Sequence, residues 1–179
     1  MYPLGHFGVA LLFTAPIAAG LRPRTQTGFT SYALAAALVP DFDRHVPGLV
    51  HHGITHTFAF AAVVGLVGGV VASVAVVVSR RTSEEGFGDE FDPVRVFAFV
   101  SLGFFVGTAS HVVGDLLVLL PGTKPVSPLW PFSTETYRVE FLRLGNPVRN
   151  AVFLVVGLAG HGVVSWRASP DTGRSLRTD

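Results

Sequence analysis

Cysteine is absent from the 179-residue chain, and charged residues make up only 14% of it. Without cysteine, a disulfide scaffold, a thiolate zinc site and a thiol nucleophile are excluded. The scarcity of charge and a mean hydropathy of +0.51 argue against an ordinary soluble domain, because one core of this size cannot bury so much apolar surface. The net charge of +1 shows no basic excess, which argues against a nucleic-acid-binding protein.

Long apolar runs are abundant instead, and they predict an all-α polytopic membrane protein. A helix needs about 20 apolar residues to cross a bilayer. The first run lacks a basic leader and contains Pro16, so it predicts a retained helix and not a cleaved signal peptide. We expect a helical bundle of four full transmembrane spans, at residues 4–21, 57–79, 96–120 and 148–166, plus one short or re-entrant helix at 29–39. Residues 1–167 then form a single integral membrane domain with a polar linker at 80–95, and residues 168–179 form a disordered tail.

The ionisable residues within this apolar chain are grouped in four short segments. Because successive spans run in opposite directions, all four segments fall at the same end of the bundle. The residues concerned are His6, then Asp41 and Asp43 in VPDFDRH, then His51, His52 and His56 in HHGITHT, and finally His111 and Asp115 in SHVVGD.

His111 and Asp115 are one helical turn apart and share a face. A carboxylate at membrane depth costs at least about 2.5–3.5 kcal/mol, which a bound cation would remove. The alternative is a His–Asp hydrogen bond in a wet cavity. Asp41 and Asp43 follow Pro40 at i, i+2, and alternate residues of an extended turn point the same way. As an isolated pair they could equally cap a helix or lie in a solvated turn.

In HHGITHT, His56 is the strongest ligand candidate and His51 the second. His52 is expected to be exposed or to support a ligand, and Thr55 or Thr57 could cap the next helix. His45 is read as a surface residue. His161 stands alone in the last span and is expected to bond a neighbouring group. His6 becomes a candidate only through its place at the shared end.

These groups predict a metal site with up to seven candidate residues. Histidine and carboxylate ligands without cysteine suit Zn, with Mn or Fe(II) as alternatives, and the number of residues allows one or two ions. A cation of this kind can lower the pKa of water to about 7. We assign Asp43 as the general base, because it lies in a turn that we expect to be mobile. The predicted metal ligands are His6, Asp41, His51, His56, His111 and Asp115.

The same motifs, in this order, resemble the YdjM-like family of membrane-bound, metal-dependent hydrolases, which is associated with LexA regulation in some bacteria. The family pattern is an early His, a Pro-Asp-x-Asp turn, a His-x-Gly-x-Thr-His-Ser/Thr box and a later His-x-x-x-Asp. Here His52 stands where Arg usually follows the first His of the box, which puts the substrate preference in doubt. The resemblance implies a polytopic fold and hydrolysis. The matching residues are His6, Pro40, Asp41, Asp43, His51, Gly53, Thr55, His56, Thr57, His111 and Asp115.

A site at the membrane surface predicts two kinds of partner, the lipid bilayer and an amphiphilic or anionic small-molecule substrate such as an ester or phosphoester. Lys124, Arg138 and Arg143 flank the same end and could hold an anionic head group, or they could be ordinary loop charges. The rival function is a metal-binding transporter or a proton or ion pathway. A pathway needs polar residues through the full depth, whereas this cluster is one-sided. A purely structural membrane protein would leave His111 and Asp115 without a role.

The basic residues predict the orientation of this multi-pass protein in the cell membrane. With the N-terminus outside, eight Arg residues lie on the inner side, against five basic residues on the outer side. Because basic loops favour the cytoplasm, this arrangement puts the N-terminus and the candidate site at the outer face. The inner residues are Arg22, Arg24, Arg80, Arg81, Arg95, Arg167, Arg174 and Arg177, and the outer residues are Arg44, Lys124, Arg138, Arg143 and Arg149.

Overall fold

The computed structural model describes residues 1–82, 90–117, 124–137 and 146–168, and these parts of the chain are predominantly helical. Two short 3₁₀ helices, Pro40–His45 and Ile54–His56, lie in the connection between the second and third α-helices. The described ranges contain no strand, and an isolated antiparallel bridge joins Val126 to Tyr137. The α-helices are α1 (Pro3–Ala18), α2 (Pro23–Ala36), α3 (Phe58–Thr82), α4 (Pro93–Leu116) and α5 (Pro147–Ala168).

Three of these helices, α3, α4 and α5, are long and apolar enough to cross a membrane. The expectation of four full spans is wrong. Helix α1 has 16 residues, which gives about 24 Å of helix against a hydrocarbon core of about 30 Å. The apolar run continues beyond it, but the chain turns after Ala18. The short helix α2 starts at Pro23 and not at residue 29, since proline suits the first turn of a helix.

Helix α4 is the centre of the bundle and packs against α1, α2 and α3, while α5 packs against α1. Small residues allow these helices to approach closely. A Cβ atom at Gly107 would collide with the backbone of Ala33 in α2, and one at Gly8 would collide with the backbone of Phe153 in α5. The outward faces of α3 and α5 are rich in exposed valine, as expected for helices that contact lipid.

Parts of several predictions lie outside the described residues, including positions 118–120 of the expected span 96–120 and the orientation residues Arg174 and Arg177. In the predicted linker 80–95, α3 continues to Thr82 and α4 begins at Pro93, and residues 83–89 are not described. The predicted tail begins at Ala168, which still belongs to α5, and its remaining residues 169–179 are not described. Arg138 and Arg143, the flanking basic residues, also lie outside the described part of the chain.

Candidate metal centre

The helix ends bring the predicted site residues together at one end of the bundle. His6 lies in the first turns of α1, and His111 and Asp115 lie in the last turns of α4. The two 3₁₀ helices supply Asp41, Asp43 and His56, and residues 51 and 52 precede the second of them. The rings of His6 and His111 stack with their centroids 3.7 Å apart. The side chains of His6, His56, His111 and Asp115 are all buried.

Three atoms form a triangle at the centre of this cluster. The Nε2 atoms of His56 and His111 lie 3.3 Å apart. Asp115 Oδ2 lies 3.4 Å from His56 Nε2 and 3.1 Å from His111 Nε2. In a tetrahedral site with metal–ligand bonds of about 2.0–2.1 Å, ligand atoms are separated by about 3.3–3.4 Å. The triangle therefore has the size of one face of a tetrahedral zinc site.

The other ring nitrogen of each histidine is bound on the outside of the triangle. His111 Nδ1 donates to the backbone oxygen of Ala37 over 2.7 Å. His56 Nδ1 lies 3.0 Å from Thr55 Oγ1 and 3.4 Å from Asp43 Oδ2. Partners of this kind fix the orientation and tautomer of metal-binding histidines. Both Nε2 atoms are therefore directed inward by the fold itself.

Asp41 and Asp43 lie on different sides of His56, whereas an extended turn would have pointed both carboxylates the same way. They lie in a 3₁₀ helix, where residues two apart point in divergent directions. Asp41 Oδ1 lies 3.8 Å from His56 Nε2 and 3.9 Å from His111 Nε2, next to the triangle. Asp43 is buried behind His56 and accepts a hydrogen bond from Thr55 Oγ1 over 2.8 Å. Asp43 is therefore buried and hydrogen-bonded within a 3₁₀ helix, whereas the sequence predicted a turn.

Asp115 connects the triangle to His6 through its second oxygen. His6 Nε2 lies 3.5 Å from Asp115 Oδ1, whereas the triangle uses Oδ2. One ligand atom from each of His6, His111 and Asp115 lies within 4.8 Å of the others, and the same holds for Asp41, His56 and His111. The carboxylate of Asp115 is thus placed where it could serve one ion or bridge two.

His51 lies at the rim and not in the triangle. Its Nδ1 lies 3.1 Å from Asp43 Oδ1, and its Nε2 lies 2.6 Å from an Arg44 guanidinium nitrogen. The side chains of His51 and Asp41 are 32% and 19% exposed. Because the triangle residues are buried, these two side chains mark the side from which the cluster can be reached.

His52 is closer to the cluster than the sequence suggested. Its Nδ1 donates to the backbone oxygen of Lys124 over 2.8 Å, and its Nε2 lies 3.7 Å from Asp115 Oδ2. Its φ of +62° is uncommon for a residue other than glycine. The sequence signal for the position of His52 was limited to the pair of adjacent histidines before Gly53. Neither the backbone conformation of His52 nor its contact with residue 124 can be read from residue spacing.

Unpaired buried atoms provide the test of whether a cation fits. Within the described ranges, both ring nitrogens of His6, Asp41 Oδ1 and Asp115 Oδ2 are buried without a hydrogen-bond partner. Buried polar atoms are nearly always bonded, since an unpaired one costs about 1–3 kcal/mol. Divalent cations could pair the two carboxylate oxygens and one of the two His6 ring nitrogens, and nitrogen and carboxylate oxygen are donors that Zn, Mn and Fe(II) accept. The residues present therefore fit a metal ion.

The two most central side chains outside the spans also have shifted pKa values. Burial lowers the pKa of His56, but its interactions with Asp115 and Asp41 outweigh burial and hold that pKa above its ordinary value. Burial opposes ionisation of Asp41, yet the His56 interaction and the charge of His111 keep its pKa well below the ordinary value. The fold thus favours a cation, whether imidazolium or metal, beside ionised carboxylates.

Comparison with known protein families identifies a membrane-protein family. The chain matches the family described as YdjM inner membrane protein over residues 1–174. It belongs to the YdjM family. No curated protein and no solved structure matches the chain. The family resemblance inferred from the motifs is confirmed, and together with its three candidate spans it makes this YdjM-family chain a multi-pass membrane protein.

The contacts of Asp43 predict how strongly it supports the site in this YdjM-family chain. We expect Asp43→Asn to weaken metal binding about 10–100-fold, because the amide cannot stabilise the His56 imidazole as a carboxylate does. The measurement is a competitive titration with a metal indicator in detergent. Asp92→Asn is the matched control, since Asp92 is exposed and caps α4 at the other end of the bundle. Equal metal affinity in Asp43→Asn and the unmodified protein would contradict this role.

Proposed function

We propose that this chain is a metal-dependent hydrolase that cleaves an ester or phosphoester of an amphiphilic substrate at the membrane surface. The observation that supports it best is the buried triangle of His56 Nε2, His111 Nε2 and Asp115 Oδ2, with Asp41 beside it. Zn suits the triangle best, with Mn or Fe(II) as alternatives and one or two ions in total. The proposed ligands are His56, His111, Asp115, Asp41 and His6. His51 and His52 form a further candidate group with His56 at the rim, because one ligand atom from each of the three lies within 4.8 Å of the others.

When bound, the cation would supply a Lewis acid that activates water and polarises the scissile carbonyl or phosphoryl group. The proton of the attacking water must pass to a side chain that is accessible. Asp43 is buried and already bonded to Thr55, so we assign it to holding His56 and His51 in place. His51 is partly exposed and has its Nδ1 on Asp43, so its Nε2 is the better proton acceptor once Arg44 turns away.

Arg44 is the basic residue best placed to meet an anionic substrate. Its side chain is 53% exposed and lies 3.4 Å from Asp41 Oδ1 and 2.6 Å from His51 Nε2. A long, exposed guanidinium can exchange these contacts for a carboxylate or phosphate group. Lys124 takes part through its backbone, which holds His52, and not through a described side-chain contact with the cluster.

Exposed apolar side chains near the cluster favour an amphiphilic substrate. Phe42 lies between the two aspartates of the first 3₁₀ helix and is 64% exposed, and Val50 and Ile54 flank the histidine segment. Trp130 and Phe132 are exposed in the loop that carries Lys124 and contacts the start of α3 through Pro128. Aromatic and aliphatic side chains of this kind are typical of the bilayer interface. The cluster would thus meet molecules that are themselves embedded in the membrane.

An ion pathway is the weaker alternative. Among the described residues, the buried ionisable side chains are His6, Asp43, His56, His111 and Asp115, and all lie at one end. His161 in α5 lies within 2.7 Å of Thr14 Oγ1 and is part of a local polar contact. A proton or ion pathway requires groups through the whole depth of the membrane. The one-sided arrangement supports a surface reaction.

The function can be tested by combining metal analysis with activity. We expect the protein purified in mild detergent to contain a stoichiometric divalent metal. It should also hydrolyse at least one member of a panel of chromogenic esters and phosphoesters. A chelator should abolish both properties, and readdition of the metal should restore them. Stoichiometric metal without any activity on the panel would favour a metal-binding role without hydrolysis.

The orientation remains a separate proposal, with the N-terminus and the cluster at the outer face. A protease-cleavable tag in the linker 80–95 should then resist protease added to intact spheroplasts and be cut after lysis. The physical basis is the excess of Arg on the side of that linker. Cleavage in intact spheroplasts would place the cluster on the cytoplasmic face instead.

A further inference from the structure

A groove of about 580 Å³ runs between α2 and α3, with α4 as its floor. Volumes of this size are typical of small-molecule sites. Apart from Tyr32, its lining consists of aliphatic residues, glycine and phenylalanine. On α3 the small residues Gly68, Ala72 and Ala75 recur at helical spacing and face the groove. Their small side chains create the depth that valine at these positions would fill.

The groove continues towards the opposite end of the bundle. A second cavity of about 900 Å³ shares Tyr32, Ala72, Ala75 and Val100 with the first. Its far rim is polar and includes Arg24, Asp92 and Arg95. The apolar part therefore lies on the side of the metal cluster, and the charged part lies at the other membrane surface.

The apolar end of the groove adjoins the accessible side of the cluster. Val39 lines the groove and directly precedes the 3₁₀ helix that carries Asp41. Val63 lines it on α3, a short distance along the chain from His56. Asp41 is also one of the partly exposed cluster side chains. A molecule that leaves the groove at this end thus meets the side from which the metal ligands can be reached.

We propose that the groove holds the hydrocarbon chain of an anionic lipid whose head group lies at the metal cluster, and that such lipids are the substrate class. This rests on the proposed hydrolase function. From Val63 to Ala75 the groove follows about 18 Å of α3, close to the roughly 15 Å of one leaflet's hydrocarbon. A hydrocarbon chain whose head group is held at the cluster would therefore fill the apolar part of the groove and end near its junction with the second cavity. Because α3 faces lipid, such a molecule can enter sideways from the bilayer.

Photolabelling tests the position of the lipid's hydrocarbon chain independently of catalysis. The full-length protein, loaded with metal in phosphatidylcholine nanodiscs, would be exposed to two phosphatidic acids that each carry a diazirine. In one the diazirine lies near the acyl carbonyl, and in the other it lies at the end of the acyl chain. We expect the first to label the region of Val39 and Val63, and the second the region of Ala72 and Ala75. The reverse order would place the head group at the Arg24 end and overturn the proposal. Equal labelling of all lipid-facing surfaces of α3 would also overturn it.

Blocking variants test whether the groove serves the reaction. Ala72→Trp and Ala75→Trp fill the junction of the two cavities, whereas Val74→Trp is a matched control on the lipid-facing side of the same turn. We expect the blocking variants to keep their metal and their activity on a short soluble phosphoester, and to lose groove labelling and lipid hydrolysis at least tenfold. Unchanged lipid hydrolysis would contradict the proposal. If the unmodified protein hydrolyses neither substrate, the hydrolase function fails, while the labelling pattern still decides the groove.

Discussion

We expect His56→Ala, His111→Ala and Asp115→Ala each to remove the bound metal and metal-dependent hydrolysis. Each substitution deletes one corner of a triangle whose sides are 3.1, 3.3 and 3.4 Å. Loss of a residue that only supports a ligand costs about 10–100-fold, so loss of a ligand should exceed this range. Metal content of the purified variants and their rate on the active substrate are the measurements.

Two histidines outside the cluster provide the controls for these variants. His45→Ala removes an exposed side chain, and His161→Ala removes the partner of Thr14 in the span. Thr14 Oγ1 still donates to the backbone oxygen of Leu11 over 3.0 Å, so no buried hydroxyl is left unpaired. Both variants should retain metal and activity. A His56→Ala protein with normal metal content would refute the proposed centre, and metal loss in both controls would indicate a folding defect.

The sequence predicted the long helices well because a bilayer imposes a simple rule on composition. Runs of uncharged residues located α3, α4 and α5 to within a few residues, since continuous apolar surface has no other stable environment. The rule is weaker for short helices. Helix α2 starts with polar residues around Arg24, and α1 ends although the apolar run continues. Both outcomes depend on turns and on packing against α4, which composition does not specify.

The topology predicted from the sequence was enough to bring the site residues to one end of the bundle. It did not predict where each residue lies within the cluster. Opposite helix directions are enough to bring His6, His56 and Asp115 to one end. The separation of Asp41 from Asp43 depends on a 3₁₀ conformation that an i, i+2 spacing does not reveal. The inward position of His52 depends on a positive φ and on a carbonyl from residue 124, far away in the chain. Local conformation, and not residue type, therefore decides which candidates face the cluster.

We expect removal of the metal to destabilise the folded protein, because the cluster contains ionised groups that a cation would pair. A metal that binds only the folded state stabilises that state by about 4 kcal/mol when its free concentration exceeds Kd a thousandfold. For a chain of this size, about 2–4 °C in Tm corresponds to each kcal/mol. We therefore expect a chelator to lower the Tm in detergent by on the order of 10 °C at about pH 7.5. Thermal unfolding followed by tryptophan fluorescence is the measurement.

This chelator effect should shrink towards about pH 5, because protons compete with the metal for the histidine nitrogens. Protons displace the metal from histidine, and the raised pKa of His56 means that they begin to do so above the ordinary histidine range. In the metal-free protein, the raised pKa of His56 contributes stability below about pH 6.5 that is lost as pH rises through that pKa, whereas burial lowers the pKa of His52, which contributes the opposite sign. The lowered pKa of Asp41 adds no change in this window, because Asp41 is ionised throughout it.

Asp115→Asn separates metal binding from simple burial of charge. Asparagine fills the same space but is a poor ligand, so the chelator effect on Tm should nearly vanish. The metal-free variant should be less stable than the metal-free parent, because Asn leaves the buried Met1 ammonium, 2.9 Å from Asp115 Oδ1, without its counter-charge. The chelator effect compares the loaded and metal-free forms of one variant, so this loss does not enter it. Asp92→Asn, at the exposed cap of α4, should keep the full chelator effect. A chelator response in Asp115→Asn equal to that of the metal-loaded parent would mean that this carboxylate does not hold the ion.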